Sequence, residues 1–222
     1  MSKADDYLTG LVPDAEDVFG VVADYLTDNT ARWESNLDSG LAGLVVHLDT
    51  AGYRPVLAAA RPELAAGRGA LGTREVLLSA RVKTPDAIVA KMRRFSEPLR
   101  VMLDRWGYRI VVADDTALSE VADTCEHLWD TPTPNELLLR NGALQFSARR
   151  DYRKRDHAGL SAATTNSYDQ AVHLNRKPSF GIVEIQVMTF DLYRRVHCDP
   201  ISADSHDTYV ARREELLRER SQ

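Results

Sequence analysis

Glu75-Val76-Leu77-Leu78-Ser79-Ala80-Arg81-Val82-Lys83-Thr84-Pro85-Asp86-Ala87-Ile88-Val89-Ala90-Lys91-Met92 decides the fold, because within it the apolar period changes from two to nearly four. Val76, Leu78, Ala80 and Val82 fall on one side of an extended chain and Ser79, Arg81 and Lys83 on the other, the pattern of a half-buried strand. Thr84 then supplies an N-cap and Pro85 a first helical residue, opening a helix with Ile88 and Met92 inward and Lys91, Arg93 and Arg94 outward. A strand that feeds a helix predicts an α/β (α+β) fold. Arg81 and Lys83 at the strand end, Lys91 on the helix and the helix N-terminus converge as a cradle for phosphate. Taken alone, the same residues equally describe a basic edge strand.

The alternation continues downstream. A strand is expected near Tyr108 to Ala113 and a helix near Thr116 to Trp129, with Leu118, Val121, Ala122, Cys125 and Leu128 inward. Ala143 to Ala148, Ser161 to Thr165 and Ile182 to Met188 read as strands, the last two joined through a polar turn at Asn175 to Pro178. Tyr209 to Arg220 closes the chain as a helix of mixed charge.

Upstream, two amphipathic helices are expected. The first carries Val18, Phe19, Val22, Tyr25 and Leu26; the second carries Trp33, Leu37, Leu41, Leu44 and Leu48 and stops near Gly52. Gly67-Arg68-Gly69-Ala70-Leu71-Gly72 matches a dinucleotide fingerprint in letters, but it precedes a strand rather than following one, so it reads as a linker. The expected organisation is a helical segment and linker over residues 1–73, a catalytic core over 74–200 and a C-terminal helix over 201–222.

The bulk numbers suit one globular core: 222 residues, 44% apolar and 27% charged. A net charge of −5 argues against a protein that coats nucleic acid by bulk electrostatics. Two cysteines, Cys125 and Cys198, form no ligand spacing and no disulfide framework. No signal-peptide pattern and no apolar run of bilayer length occurs, so a cytoplasmic protein without membrane contact is expected.

Two further groups carry chemistry. Asp104 precedes the strand that bears Arg109, and Glu184-Ile185-Gln186 sets Glu184 and Gln186 on one strand face. Carboxylates at strand ends suit a magnesium ion that also takes substrate phosphate oxygens, although acids there are also commonly salt-bridged surface residues. The run Arg149, Arg150, Arg153, Lys154 and Arg155, interleaved with Asp151 and Tyr152, suggests contacts to an anionic acceptor, or else a solvated loop.

In order and spacing these segments resemble the synthetase domain of the RelA/SpoT family, which makes the alarmones pppGpp and ppGpp. The likeness runs from about Glu75 to about Tyr193. Ala80-Arg81-Val82-Lys83-Thr84-Pro85 through Lys91-Met92 matches the family's G-R-x-K, T/S-P-x-S-I-x-x-K-M; Asp104 to Val111 matches D-x-x-(G/A)-x-R-x-(I/V); His127-Leu128-Trp129 echoes H-x-L-W with one residue fewer. Arg150-Asp151-Tyr152 echoes K-D-Y, and Val183 to Thr189 matches V-E-I-Q-(I/V)-x-T.

The resemblance implies a nucleotidyltransferase-like mixed β-sheet of about five strands with N- and C-terminal helices, in a small, synthetase-only form. It implies an ATP-dependent pyrophosphokinase that moves the β,γ-diphosphate to a hydroxyl, the ribose 3′-OH of a nucleotide or nucleoside-like acceptor, and releases AMP. Asp104 and Glu184 would be catalytic and bind Mg2+; Arg81, Lys83, Thr84, Lys91 and Arg109 would bind ATP, the two arginines about its adenine. Arg150, Tyr152, Lys154 and Gln186 fall to the acceptor.

GDP or GTP is the family's default acceptor. Aligning the Ser and Thr pair of N-G-Y-Q-S-(I/L)-H-T-T, however, puts Gly159 at the guanine-stacking tyrosine and Ala163 at the acceptor-site histidine. Met188 stands where an arginine usually follows, and Tyr193 replaces a polar residue of the next helix. The expected ATP half is intact and the acceptor half rebuilt, with Tyr152 or Tyr168 as substitute stacking platforms. That leaves the same chemistry on the 3′ end of transfer RNA or on a specialised metabolite, or a non-catalytic nucleotide-binding regulatory module, as alternatives. A homo-oligomer is left open.

Overall fold

The computed structural model describes residues 16–57, 69–95, 99, 102–137, 147–153 and 171–198. In chain order these form helix α1 (Glu16–Thr50), strand β1 (Arg54–Leu57), β2 (Glu75–Val82), helix α2 (Pro85–Phe95), a 3-10 turn (Leu103–Arg105) and β3 (Trp106–Val112). Then follow helix α3 (Asp115–Glu126), β4 (Arg149–Asp151), β5 (Val172–Arg176), β6 (Val183–Thr189), a short helix α4 (Phe190–Tyr193) and a π-helical turn (Arg194–Cys198). The strands make one six-stranded mixed sheet in the order β1-β2-β3-β6-β5-β4. β1 runs parallel to β2 and β3 to β6; the remaining neighbours are antiparallel.

One sheet face is apolar. Val76 and Leu78 of β2, Tyr108, Ile110 and Val112 of β3, Val183, Ile185 and Val187 of β6, and Val172 and Leu174 of β5 pack under Leu37, Leu44 and Leu48 of α1 and Val121, Ala122 and Cys125 of α3. The period-two reading of β2 therefore holds, and burial of these side chains is the main stabilising term. The upstream half of α1 meets α2 in a second cluster, where Phe19, Val22, Leu26 and Trp33 pack on Ile88 and Met92. The opposite sheet face is divided. At one end Leu77, Val111 and Met188 pack on Phe190, Leu192 and Tyr193; the rest of that face is polar.

The two expected N-terminal helices are one. Thr27, Asn29 and Thr30 resemble a break, but their side chains donate to the carbonyls of Ala23, Tyr25 and Leu26 at 2.9, 2.8 and 2.8 Å, so the turn stays helical. The stop at Gly52 is as expected: its φ is +84°, and the Tyr53 amide donates back to Leu48 O at 3.0 Å. The predicted turn at Asn175–Pro178 is corrected in part, since Asn175 and Arg176 belong to β5. Ala148 precedes a strand that begins at Arg149, so part of the basic run is sheet, not loop. β1, a short edge strand containing Pro55, was not anticipated. The strand expected at Ser161 to Thr165, most of that at Ala143 to Ala148, and the C-terminal helix lie outside the described residues. No described helix is long and apolar enough to cross a membrane.

Candidate functional site

Strand register builds the site. Arg109 of β3 lies opposite Ser79 of β2 and Gln186 of β6; Gln186 lies opposite His173 of β5, and His173 opposite Arg150 of β4. One step along, Arg81, Gly107, Glu184 and Asn175 form a second row. Residues directly opposite share a face, so these two rows bring side chains from five strands to the polar side of the sheet. Arg81, Lys83, Asp104, Trp106, Gly107, Tyr108, Arg109, Glu184 and Gln186 line one cleft there.

Gly107 is required by its neighbours. A Cβ at that position would fall well inside contact distance of the Glu184 backbone oxygen, and the missing side chain leaves the middle of the second row open between Arg81 and Glu184.

Asp104 enters from the 3-10 turn just ahead of β3. Lys83 Nζ bonds its Oδ2, and Lys91 Nζ bonds its Oδ1 at 2.6 Å. Burial alone would raise the Asp104 pKa, but the two ammonium groups outweigh it and hold the carboxyl well below its usual range. Lys83 is itself pulled below the usual lysine value, chiefly by burial and against the attraction of Asp104. Thr84 caps α2, accepting from the Ala87 amide at 3.3 Å. It does not line the cleft.

Glu184 centres the other half. Its Oε1 faces His173 Nδ1 at 2.9 Å and accepts from Arg150 Nη2 at 3.3 Å; its Oε2 accepts from Gln186 Nε2 at 2.9 Å. Gln186 Oε1 in turn accepts from Arg109 Nη2 at 3.2 Å. Burial pushes the Glu184 pKa up, yet the His173 imidazole and Arg150 draw it down to about 2. An ionised carboxylate only accepts, so the hydrogen between the pair sits on His173 Nδ1. His173 Nε2 and Arg150 Nε are buried with no hydrogen-bond partner among the described residues. Tyr152 stands edge-on to His173, ring centroids 4.8 Å apart, with the Arg150 guanidinium 5.6 Å from its ring.

No family model matches the chain, and no curated protein matches it. Among solved structures it is similar to the small alarmone synthetase 1 from Bacillus subtilis bound to its product pppGpp, at 22% identity over 54% of this chain and 57% of that one, TM-score 0.37. It thus spans 57% of that chain's length. It is also similar to a second structure of the small alarmone synthetase 1 from Bacillus subtilis (19% identity, 74% of each chain, TM-score 0.40). A GTP pyrophosphokinase family protein from Streptococcus pneumoniae is similar at 19% identity over 74% of this chain and 72% of that one, TM-score 0.38.

Of the predicted residues, Arg81, Lys83, Asp104, Arg109, Glu184 and Gln186 meet in the cleft. Lys91 joins through Asp104, and Arg150 through Glu184. Tyr152 reaches the group only through the His173 ring, and Lys154 and Tyr168 lie outside the described residues. The rest of the described basic run is structural. Arg149 pairs with Asp123 at 2.7 Å and with Glu126 of α3, and Arg153 pairs with Asp151 at 2.7 Å.

His173 is the residue that the sequence reading missed. Its signal was present, since Asn166-Ser167-Tyr168-Asp169-Gln170-Ala171-Val172-His173 repeats N-x-Y, Q and H of the expected acceptor motif with one residue inserted. Gly159 and Ala163 lie outside the described residues, and the histidine beside the Glu184-Ile185-Gln186 strand is His173.

Proposed function

We propose that the protein is an ATP-dependent pyrophosphokinase acting on a nucleotide acceptor. The observation that carries this reading is the two-row register that gathers Arg81, Lys83, Arg109, Glu184 and Gln186 around one cleft with Asp104. Arg81 and Arg109 offer flat guanidinium groups two residues apart across the β2–β3 pair, suited to the faces of a base. Lys83 and Lys91 hold the phosphates, exchanging Asp104 for phosphate oxygens as the nucleotide enters. A helix N-terminus capped by Thr84 adds a favourable dipole beside them.

The donor set fits Mg2+. Asp104 and Glu184 are hard oxygen ligands facing one cleft, and among the described residues no group of three or more His, Cys, Asp or Glu forms a complete cage. Two carboxylates completed by substrate oxygens are what magnesium prefers. Bound there, it would neutralise charge on the phosphate oxygens.

The acceptor's hydroxyl oxygen attacks the β-phosphorus, and the bond from that phosphorus to the α,β-bridging oxygen breaks. The electron pair leaves with AMP. A transition state of this kind is loose, so positioning and charge stabilisation dominate and little base strength is needed early. Glu184 is a weak base at a pKa of about 2, and takes the hydroxyl proton late, as the new O–P bond forms. His173 and Arg150 secure Glu184 for that step.

His173, Arg150 and Tyr152 favour a nucleotide as acceptor, with GDP and GTP the first candidates and the 3′-OH as the attacking group. His173 Nε2, buried and unpartnered among the described residues, offers a polar contact to a ligand. The reading places the enzyme in the cytoplasm, where both nucleotides are found. The test is incubation with γ-labelled ATP and magnesium against GDP, GTP, ATP, other nucleotides and transfer RNA. Label should pass to a guanine nucleotide as pyrophosphate; transfer only to RNA, or to none of these acceptors, refutes the acceptor assignment.

A further inference from the structure

Tyr193 lies behind Arg109, an arginine that lines the cleft. We propose that Tyr193 is a positioning residue that holds the Arg109 guanidinium in the plane needed to stack on the base of the donor nucleotide. The inference rests on the proposed ATP site and deepens it by adding a determinant of base recognition.

The geometry is local and specific. The Arg109 guanidinium carbon lies 5.9 Å from the centroid of the Tyr193 ring, within the range in which a cation is attracted to an aromatic face. The same guanidinium donates to Gln186 Oε1 at 3.2 Å. An arginine fixed by a side-chain amide on one strand and an aromatic ring from another element has lost most of its rotamer freedom before a ligand arrives. That prior ordering lowers the entropic cost of binding.

Tyr193 is itself held firmly. It ends α4, whose first turn is capped by Thr189 Oγ1 accepting from the Leu192 amide at 3.3 Å. The residue is 9% exposed and packs within the cluster of Leu77, Val111, Met188 and Leu192, and its ring lies 5.0 Å from the His197 ring of the π-helical turn. The π-helical turn that follows α4 places His197 beside the tyrosine.

The experiment measures the affinity of the full chain, with magnesium, for ATP and for inorganic tripolyphosphate, in the wild type, Tyr193→Phe and Tyr193→Leu. Phenylalanine keeps the aromatic face and leucine removes it. Tyr193→Leu should weaken ATP binding about 5- to 10-fold, the size of a partly desolvated cation–π contact, and leave tripolyphosphate within about twofold. Tyr193→Phe should match the wild type for both ligands.

Equal weakening for ATP and tripolyphosphate would make Tyr193 merely structural and overturn the inference, as would unchanged ATP affinity in the leucine variant. A wild type that binds tripolyphosphate and ATP equally well would remove the base contact on which the inference depends. Failure of the wild type to bind ATP at all would overturn the proposed function as well. Should the leucine variant fail to fold, Arg109→Lys replaces it: a tenfold loss for ATP alone supports a flat, stacked guanidinium, and no loss refutes it.

Discussion

Replacing Asp104 with Asn changes one atom and two ion pairs. The carboxylate binds Lys83 and Lys91 at once, and the three side chains are 29%, 17% and 26% exposed, so solvent screens them only in part. Hydrogen bonds to charged groups contribute roughly 1.5–3 kcal/mol each. An asparagine still offers one neutral acceptor, so the net loss should be about 2 kcal/mol, or about 4–8 °C in Tm for a chain of this size. The effect on anion binding has the opposite sign. Two ammonium groups freed from a carboxylate leave a more positive cleft; one unit charge at about 4 Å and an effective dielectric of about 20 corresponds to some 4 kcal/mol. If a third of that reaches a bound anion, tripolyphosphate without magnesium binds about tenfold tighter. Magnesium-dependent turnover should be abolished. Thermal melting, calorimetric titration with tripolyphosphate and product analysis read the three effects. A variant that melts like the wild type and binds tripolyphosphate no better would refute the account of Asp104 as the residue that neutralises both lysines.

Three other perturbations follow from the same geometry. Glu184 has its pKa lowered from 4.5 to about 2 on folding, so it contributes stability that is complete above about pH 4.5 and lost as pH falls toward 2, on the order of 3 kcal/mol. Urea unfolding at pH 7, 4 and 3 should show a smaller acid loss in Glu184→Gln than in the wild type, and parallel curves would contradict the pairing with His173 and Arg150. Gly107→Ala should destabilise by about 1–3 kcal/mol through the collision with the Glu184 backbone and weaken ATP binding; a fully stable, active variant would show that the two strands do not approach so closely. His173→Ala should raise the KM for the acceptor with little change in the KM for ATP, and equal effects on both would mean that His173 serves the fold and not the acceptor.

The β2–α2 side of the cleft was legible because its strand and helix each carry a clean period, with Thr84 and Pro85 marking the junction. Arg81 and Arg109 then needed only the β2–β3 register to meet. β5 was harder to read because its polar residues are buried and bonded in part to other segments of the chain. His173 pairs with Glu184, Asn175 Nδ2 donates to Ser147 O at 3.3 Å, and Arg176 donates to the Asn175 and Ala148 carbonyls at 2.8 and 3.3 Å. Locally such residues look like a turn; only the fold shows what pairs with them. Arg149 and Arg153 misled in the reverse direction, since their charge suggested a ligand and their partners are carboxylates of the same chain. The upstream segment reads as two helices from its apolar sets, and it is one because the intervening Thr27, Asn29 and Thr30, of weak helix propensity, bond back to helix carbonyls.

Which phosphorus is attacked tests the central claim most directly. Phosphorus NMR of the protein with ATP, GDP and magnesium should show AMP and a diphosphate ester on the acceptor growing in equal amounts, with no ADP from ATP. Release of ADP with a singly phosphorylated acceptor or free phosphate would place the attack at the γ-phosphorus and contradict the account.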